Sequence, residues 1–445
     1  AYERCLIIMS SYAGACPGAT LSPATTYQRA MSAFSSNEAL WSQVPKAPSD
    51  AILALTVNYK NDPSETKANL GVGAYRDENG EPWVLPAVRR ATEELLRDPK
   101  LNHEYLPITG YAPFTAAAAK LMFGDDAPVV KEARIATNQT ISGSGAVHLG
   151  AVFLHDFYPF PKDKTVYVSD PTWPNHFAIL KAAGLSTQTY TYYDSSSRSL
   201  HFEGMYRDLA SLEDGSVVLL HACAHNPTGV DPTEEQWKKL ADLFAEKKLF
   251  AFFDSAYQGF ASGDPAKDAF SVRLFAERGI SLLVAESFAK NAGLYGERIG
   301  ALHIATASSA QAEAVLSQLN TIVRRENSTM PAFGARLVTK ILTEPELRAE
   351  WDRDIKTMSR RIISMREQLY DLLTNKFHTP GSWEHIKTQT GMFSYLGLDE
   401  AQCDRLIREG HIYLMRTGRV SMSGFNPRNV EYIASWIDKV VRERS

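Results

Sequence analysis

Through the middle of the chain, short apolar runs alternate with segments of helical period. "SVVLLHAC" (216–223) is almost continuously apolar, the pattern of a strand covered on both faces. "LFAFFD" (249–254) and "ISLLVA" (280–285) repeat it, and "KTVYVSD" (164–170) predicts a fourth strand. Between the first two, Trp237, Leu240, Ala241 and Phe244 recur at i, i+3, i+4 and i+7, one buried face of a helix. Asp231 is predicted to cap that helix, with Pro232 at its first position and Glu234 at the capping-box spacing. Strand, helix and strand at this spacing predict a βαβ crossover in a parallel sheet. A further helix is predicted from "TISGSGAVHLGAVFL" (140–154), where Ala146, Leu149, Gly150 and Phe153 follow a start of small residues.

Ligands of open parallel sheets bind beyond the carboxyl ends of the strands. Asn226 follows one predicted strand, Asp254 ends the next, and Lys290 follows the third. The strand at 164–170 delivers Trp173 and His176 to the same rim. Lys290 stands among small residues in "ESFAKNAGLYGERIG" (286–300), a loop suited to a ligand more than to packing. Asp254 follows five apolar residues and is expected to be buried; a buried carboxylate stays ionised only beside a cation. Pyridoxal phosphate asks for this pair, a lysine amine for a Schiff base and an acid for the ring nitrogen. Ser142, Gly143 and Ser144 open the 140–154 helix, where backbone N–H groups and the helix dipole favour a phosphate. Ser287 and Arg298 are placed to complete that seat, since a guanidinium matches phosphate geometry.

Composition narrows the class. A chain of 445 residues implies two or three domains. A net charge of −4 argues against a nucleic-acid or polybasic membrane partner. No apolar run reaches the roughly 18 residues of a membrane span. Cys5, Cys16, Cys223 and Cys403 are scattered without a C-x-x-C pair, so no disulfide framework or metal site is expected. "GVGAYR" and "GSGAVH" fail the G-x-G-x-x-G spacing, against a nicotinamide-dependent dehydrogenase. Residues 1–37 are rich in Ala, Ser and Thr, with Arg4 and Arg29 the only cations. They read equally as a disordered extension and as a transit segment poor in arginine.

The sequence resembles the eukaryotic branch of the aspartate aminotransferases, a family of class I pyridoxal-phosphate-dependent enzymes. The resemblance runs from about Leu40 to the C-terminus through "NLGVGAYRDENGEPWVLP", "NHEYLPITGY", "SDPTWPNH", "CAHNPTGVDPT", "FFDSAYQGFASGD", "SFAKNAGLYGERIG", "TGMFSYLGL" and "TGRVSMSGFN". It implies amino transfer between L-aspartate and 2-oxoglutarate by a homodimer with shared active sites; the alternative is a relative acting on aromatic amino acids. It makes Lys290 the cofactor-bearing lysine and proton carrier, Asp254 the partner of the ring nitrogen, and His176 the residue bonding Asp254. Tyr257 and Asn226 are to reach the phenolic oxygen and Trp173 to stack on the ring. Ser142, Gly143, Ser144, Ser287 and Arg298 are to hold the phosphate, with Tyr105 reaching in from a second subunit. Arg419 is implied as the α-carboxylate clamp, and Arg324, with Ser328, as the side-chain carboxylate clamp from the neighbouring subunit. Val72 and Gly73 are to form the lip over the substrate.

The sequence departs from the family at Thr329-Met330-Pro331, where Asn-Pro-Pro is usual, at Ser144 for Thr, and at Pro174 for a small residue. Cis bonds are implied at Asp170–Pro171 and Asn226–Pro227. The implied organisation is an N-terminal extension (1–37), an arm (38–47), a small α+β domain (48–82 and 358–445) and a large α/β domain (83–357) with a mostly parallel sheet. The expected compartment is cytoplasmic, or mitochondrial if residues 1–37 are a transit peptide.

Overall fold

The apolar runs lie side by side in a seven-stranded sheet of the computed structural model, which describes residues 41–48 and 50–443. In chain order the strands are β1 (Ile135–Ile141), β2 (Thr165–Asp170), β3 (Ser186–Thr191), β4 (Val217–His221), β5 (Phe250–Ser255), β6 (Leu282–Ser287) and β7 (Ile299–Ala305). Their spatial order is β1-β7-β6-β5-β4-β2-β3. Neighbours pair in parallel except at β7, which runs antiparallel to both β1 and β6. The expected α/β architecture with a mostly parallel sheet is present.

Alternate residues of a strand face opposite sides, and the buried apolar side chains sort accordingly. Val217, Leu219, Phe252 and Leu283 cluster with Val147 and Leu149 of helix α1 (Ser142–Phe157). Val218, Leu220, Phe253 and Val284 cluster instead with Trp237, Leu240 and Phe244 of helix α2 (Glu234–Glu246). Each such side chain contributes roughly 1.5–3 kcal/mol on burial, which explains why both faces of these strands are apolar. Helix α1 approaches the sheet through Gly150, where a Cβ would touch Leu283, Leu302 and Phe252, each at 3.3 Å.

One expectation needs correcting. The cap of α2 is Thr233, whose hydroxyl accepts from Gln236 N while the Gln236 side chain accepts from Thr233 N. Asp231 turns back instead, its carboxylate accepting from Ala224 N at 2.6 Å and His225 N at 2.9 Å. Two amides of the preceding loop outcompete the helix end for this carboxylate.

Of the described residues, 51–443 belong to one compact unit and those up to Asp50 to another. In the latter, Val44 N donates to Trp41 O at 3.0 Å. The extension 1–37, with Cys5, Cys16, Arg4 and Arg29, and residues 38–40 lie outside the described residues. Cys223 and Cys403 are buried free thiols. Within the larger unit, Ala68–Asn69 pairs in parallel with Ile412–Tyr413, and Phe393–Tyr395 pairs antiparallel with Arg419–Ser421. The first of these small sheets ties segments from both ends of the unit together. The bonds at Asp170–Pro171 and Asn226–Pro227 are cis. Among the described residues, no helix is long and apolar enough to cross a membrane, and no His/Cys/Asp/Glu cluster suits a metal.

Candidate active site

The sheet's direction brings the chemistry to one rim. Parallel strands β4, β5 and β6 end at or just before Asn226, Asp254 and Lys290, and β2 leads to Trp173. Because β7 is reversed, its beginning lies at the same rim, and Arg298 immediately precedes it. One cleft is lined by Ser142, Gly143, Ser144, Ser287 and Arg298 on one side. Trp173, Asn226, Asp254, Tyr257 and Lys290 line the remainder, together with His221, Cys223 and Ala256. A larger cavity of about 680 Å³ elsewhere contains only Val72 of the predicted groups.

The anion seat is built from backbone as much as from side chains. Ser142 and Arg298 both adopt left-handed backbone, with φ of 58° and 53°, and Ser142 N donates to Arg298 O at 3.1 Å. Ser142 Oγ lies 3.2 Å from Ser287 Oγ. A Cβ at Gly143 would sit 3.0 Å from Ser287 Cβ, so glycine keeps the first turn of α1 open. A helix N-terminus with three hydroxyls and a guanidinium beside it suits a phosphate.

Asp254 is buried deep in the cleft, and His176 Nε2 donates to its Oδ2 at 3.0 Å. Burial works to raise this carboxyl, but the hydrogen bond from His176, helped by the Lys290 charge, holds it below its ordinary range. Behind it runs a polar chain: His176 Nδ1 to Thr172 Oγ1 at 2.8 Å, Thr172 Oγ1 to His221 Nε2 at 3.0 Å, and Asn226 N to His221 Nδ1 at 3.4 Å. A backbone N–H at one end and a carboxylate at the other set one direction of donation throughout, with the His221 imidazole neutral. Burial agrees, pushing His221 down to about 3.

Lys290 is partly buried, its Nζ 5.3 Å from the Tyr257 ring centroid. Burial lowers its pKa below the ordinary lysine value, the Asp254 charge opposes that shift, and Arg298 adds to it. An amine shifted this way is more often free to act as nucleophile and base. Arg419 is 4% exposed and faces Asn226, with Nη1 donating to Asn226 Oδ1 at 3.4 Å and Nη2 to Gly71 O at 2.9 Å. Its Nε is buried without a partner among the described residues. Burial pulls its pKa below the usual arginine value. A buried guanidinium bonded only to neutral oxygens is a strong seat for an external carboxylate.

The remaining predicted residues fall outside this cleft or at its edge. Gly73 lies near Tyr257, where a Cβ would be 3.7 Å from the phenol oxygen and 2.9 Å from Phe393 Cζ. Tyr105 is 88% exposed. Arg324 is exposed near the end of helix α3 (Ser309–Glu326) and donates to Ser328 Oγ. Met330, of the departing Thr-Met-Pro sequence, is buried in the core, and Pro331 O accepts from Gln139 Nε2 at 2.7 Å. Gln139 Oε1 also accepts from Tyr111 N at 2.9 Å, linking the Tyr105 and Ser328 loops. Sequence reasoning missed His221 and Thr172. The spacing of Thr172 four residues before His176 was the available signal.

A lysine, a buried acid and an anion seat around one cleft on this fold define a pyridoxal-phosphate transferase, and the residues fit that group: the Asp254 carboxylate takes His176 on Oδ2, leaving Oδ1 as an acceptor for the ring nitrogen. Residues 65–437 match the family model described as aminotransferase class I and II, and the chain belongs to that family. The chain is 49% identical to the mitochondrial aspartate aminotransferase of Dictyostelium discoideum, the match covering 94% of this chain and 96% of that protein. The solved aspartate aminotransferase of the Saccharomyces cerevisiae cytoplasm superposes with a TM-score of 0.88 at 46% identity, covering 91% and 99% of the two chains. An aromatic amino acid aminotransferase from Burkholderia cenocepacia superposes at 0.87 with 41% identity, covering 91% and 100%.

Proposed function

We infer that the protein is a pyridoxal-phosphate-dependent transaminase moving the amino group reversibly between L-aspartate and 2-oxoglutarate, giving oxaloacetate and L-glutamate. The observation that carries this reading is the buried, carboxylate-free guanidinium of Arg419 facing the cleft that holds Lys290 and Asp254. When bound, pyridoxal phosphate supplies an electron-accepting ring that stabilises negative charge at the substrate α-carbon.

The chain's own residues do the rest. Asp254 remains ionised and accepts from the ring nitrogen, with His176 fixing its orientation. Tyr257 and Asn226, which line the cleft, would donate to the phenolic oxygen, and Trp173 would cover a ring face. Ser142, Gly143, Ser144, Ser287 and Arg298 take the phosphate, with Tyr105 of a second copy. Lys290 would hold the cofactor at rest and, once released by the incoming amine, would move the proton to and from the substrate α-carbon. Arg419 binds the α-carboxylate, and Arg324 of a second copy, with its neighbour Ser328, binds the side-chain carboxylate, while Val72 and Gly73 close over them. The amino group is held between two half-reactions, which makes the kinetics ping-pong.

The active unit is a homodimer whose protomers each pair a large domain (83–357) with a small domain from both chain ends (48–82 and 358–445). The small sheet joining Ala68–Asn69 to Ile412–Tyr413 supports that division. Matching relatives include mitochondrial and cytoplasmic enzymes; a cytoplasmic place is proposed, and cell fractionation decides against the mitochondrion. Turnover on aspartate and phenylalanine tests the substrate. Formation of oxaloacetate with a clear preference for aspartate is expected, and a preference for phenylalanine would reassign the enzyme to aromatic substrates.

A further inference from the structure

Helix α4 (Pro345–Asp371) buries Arg366, 2% exposed, with no carboxylate within ion-pair distance among the described residues. Its guanidinium donates instead to four carbonyls of the segment 386–393, which links the short helix His385–Thr388 to the strand Phe393–Tyr395: Ile386 at 3.2 Å, Thr390 at 3.4 Å, Gly391 at 2.9 Å and Phe393 at 2.5 Å. Burying an unpaired cation is costly, so these carbonyls are held tightly where the guanidinium needs them.

The same segment contacts Arg419 directly and reaches Asn226 through Asp231. Thr390 N donates to Gly229 O at 2.6 Å, and Thr390 Oγ1 to Asp231 Oδ2 at 3.1 Å. Asp231 in turn holds the amides of Ala224 and His225, the two residues before Asn226. At the other end, the Phe393 ring lies 4.3 Å from the Arg419 guanidinium carbon. Its edge meets the Tyr257 ring at 5.7 Å and 81°.

We propose that Arg366, acting through the 386–393 segment, is a positioning residue for the carboxylate-binding pair of Asn226 and Arg419. It sets the affinity for the substrate α-carboxylate without touching substrate. The inference rests on the transaminase reading above, in which Arg419 takes that carboxylate.

The test uses the full chain loaded with cofactor, with Arg366→Met removing the cation and Thr390→Val removing only the hydroxyl link to Asp231. KM for aspartate and the inhibition constant of succinate, an unreactive dicarboxylate, are measured beside kcat and the visible cofactor absorbance. Both constants should rise together, about tenfold for Arg366→Met and a few-fold for Thr390→Val, with kcat and absorbance little changed. If Arg366→Met fails to fold, Thr390→Val alone decides. Cofactor-loaded variants with wild-type KM and succinate inhibition overturn the proposal while leaving the transaminase reading intact. A wild type that does not turn over aspartate overturns both.

Discussion

Three side chains separate a working site from a mere cleft: Lys290, Asp254 and Arg419. Lys290→Ala should abolish turnover and remove the visible absorbance of the lysine-linked cofactor. Asp254→Asn keeps the shape but not the charge, and should lower kcat by about two to four orders of magnitude while cofactor still binds. The histidine behind it bears on stability. His221, near 3 when folded against an ordinary 6.5, binds its proton in the unfolded chain first. The unfolded state therefore carries more protons between those values, and stability falls as pH drops from about 6.5 toward 3. Chemical denaturation across that range should show the loss, and His221→Asn should flatten its slope. Asp254, its pKa lowered, adds a loss in the same direction at still lower pH. The residues of this site were legible where strand ends carried polar groups, as at Asn226, Asp254 and Lys290. His221 was not, because a histidine after "VVLL" reads the same whether it lines a cleft or merely fills space.

Elements place those residues, and the backbone is where the tolerance is smallest. At Gly300 of β7 a Cβ would sit 2.6 Å from Glu286 O and 2.7 Å from Ser142 C, both backbone atoms that cannot step aside. Gly300→Ala should therefore destabilise the protein by about 1–3 kcal/mol and weaken cofactor binding, since Ser142 opens the anion seat. Thermal melting with and without added cofactor reads both effects. Strands β4, β5 and β6 were readable because burial on two faces leaves a nearly unbroken apolar run, and β2 through its Val-Tyr-Val core. The reversal of β7 was not, since strand direction leaves no mark on "IGALHIA". The capping error at α2 has a similar origin: Asp231 and Thr233 both have suitable side chains, and only tertiary contacts to Ala224 and His225 decide between them.

At the scale of the whole molecule, the account requires two copies. Tyr105 and Arg324 are exposed on the isolated chain, outside the cleft that lacks a second carboxylate clamp. Arg324→Ala should lower kcat/KM for aspartate by about two to four powers of ten, with little effect on phenylalanine. If the sites are shared, the Lys290→Ala and Arg324→Ala substitutions of a mixed dimer fall in the same site and leave the other site intact. Refolding the two inactive variants together should then restore about a quarter of wild-type activity. No recovery would place each site within one chain. Neither the sheet nor the cleft reveals this sharing from composition or periodicity; the resemblance alone pointed to it.

The most direct measurement is the absorbance spectrum of the purified protein with pyridoxal phosphate, before and after aspartate is added, beside Lys290→Ala. The account predicts a visible band in the wild type that gives way when aspartate enters, and no such band in the variant. A wild-type protein that stays colourless with added pyridoxal phosphate, or a variant with the same band, would contradict it.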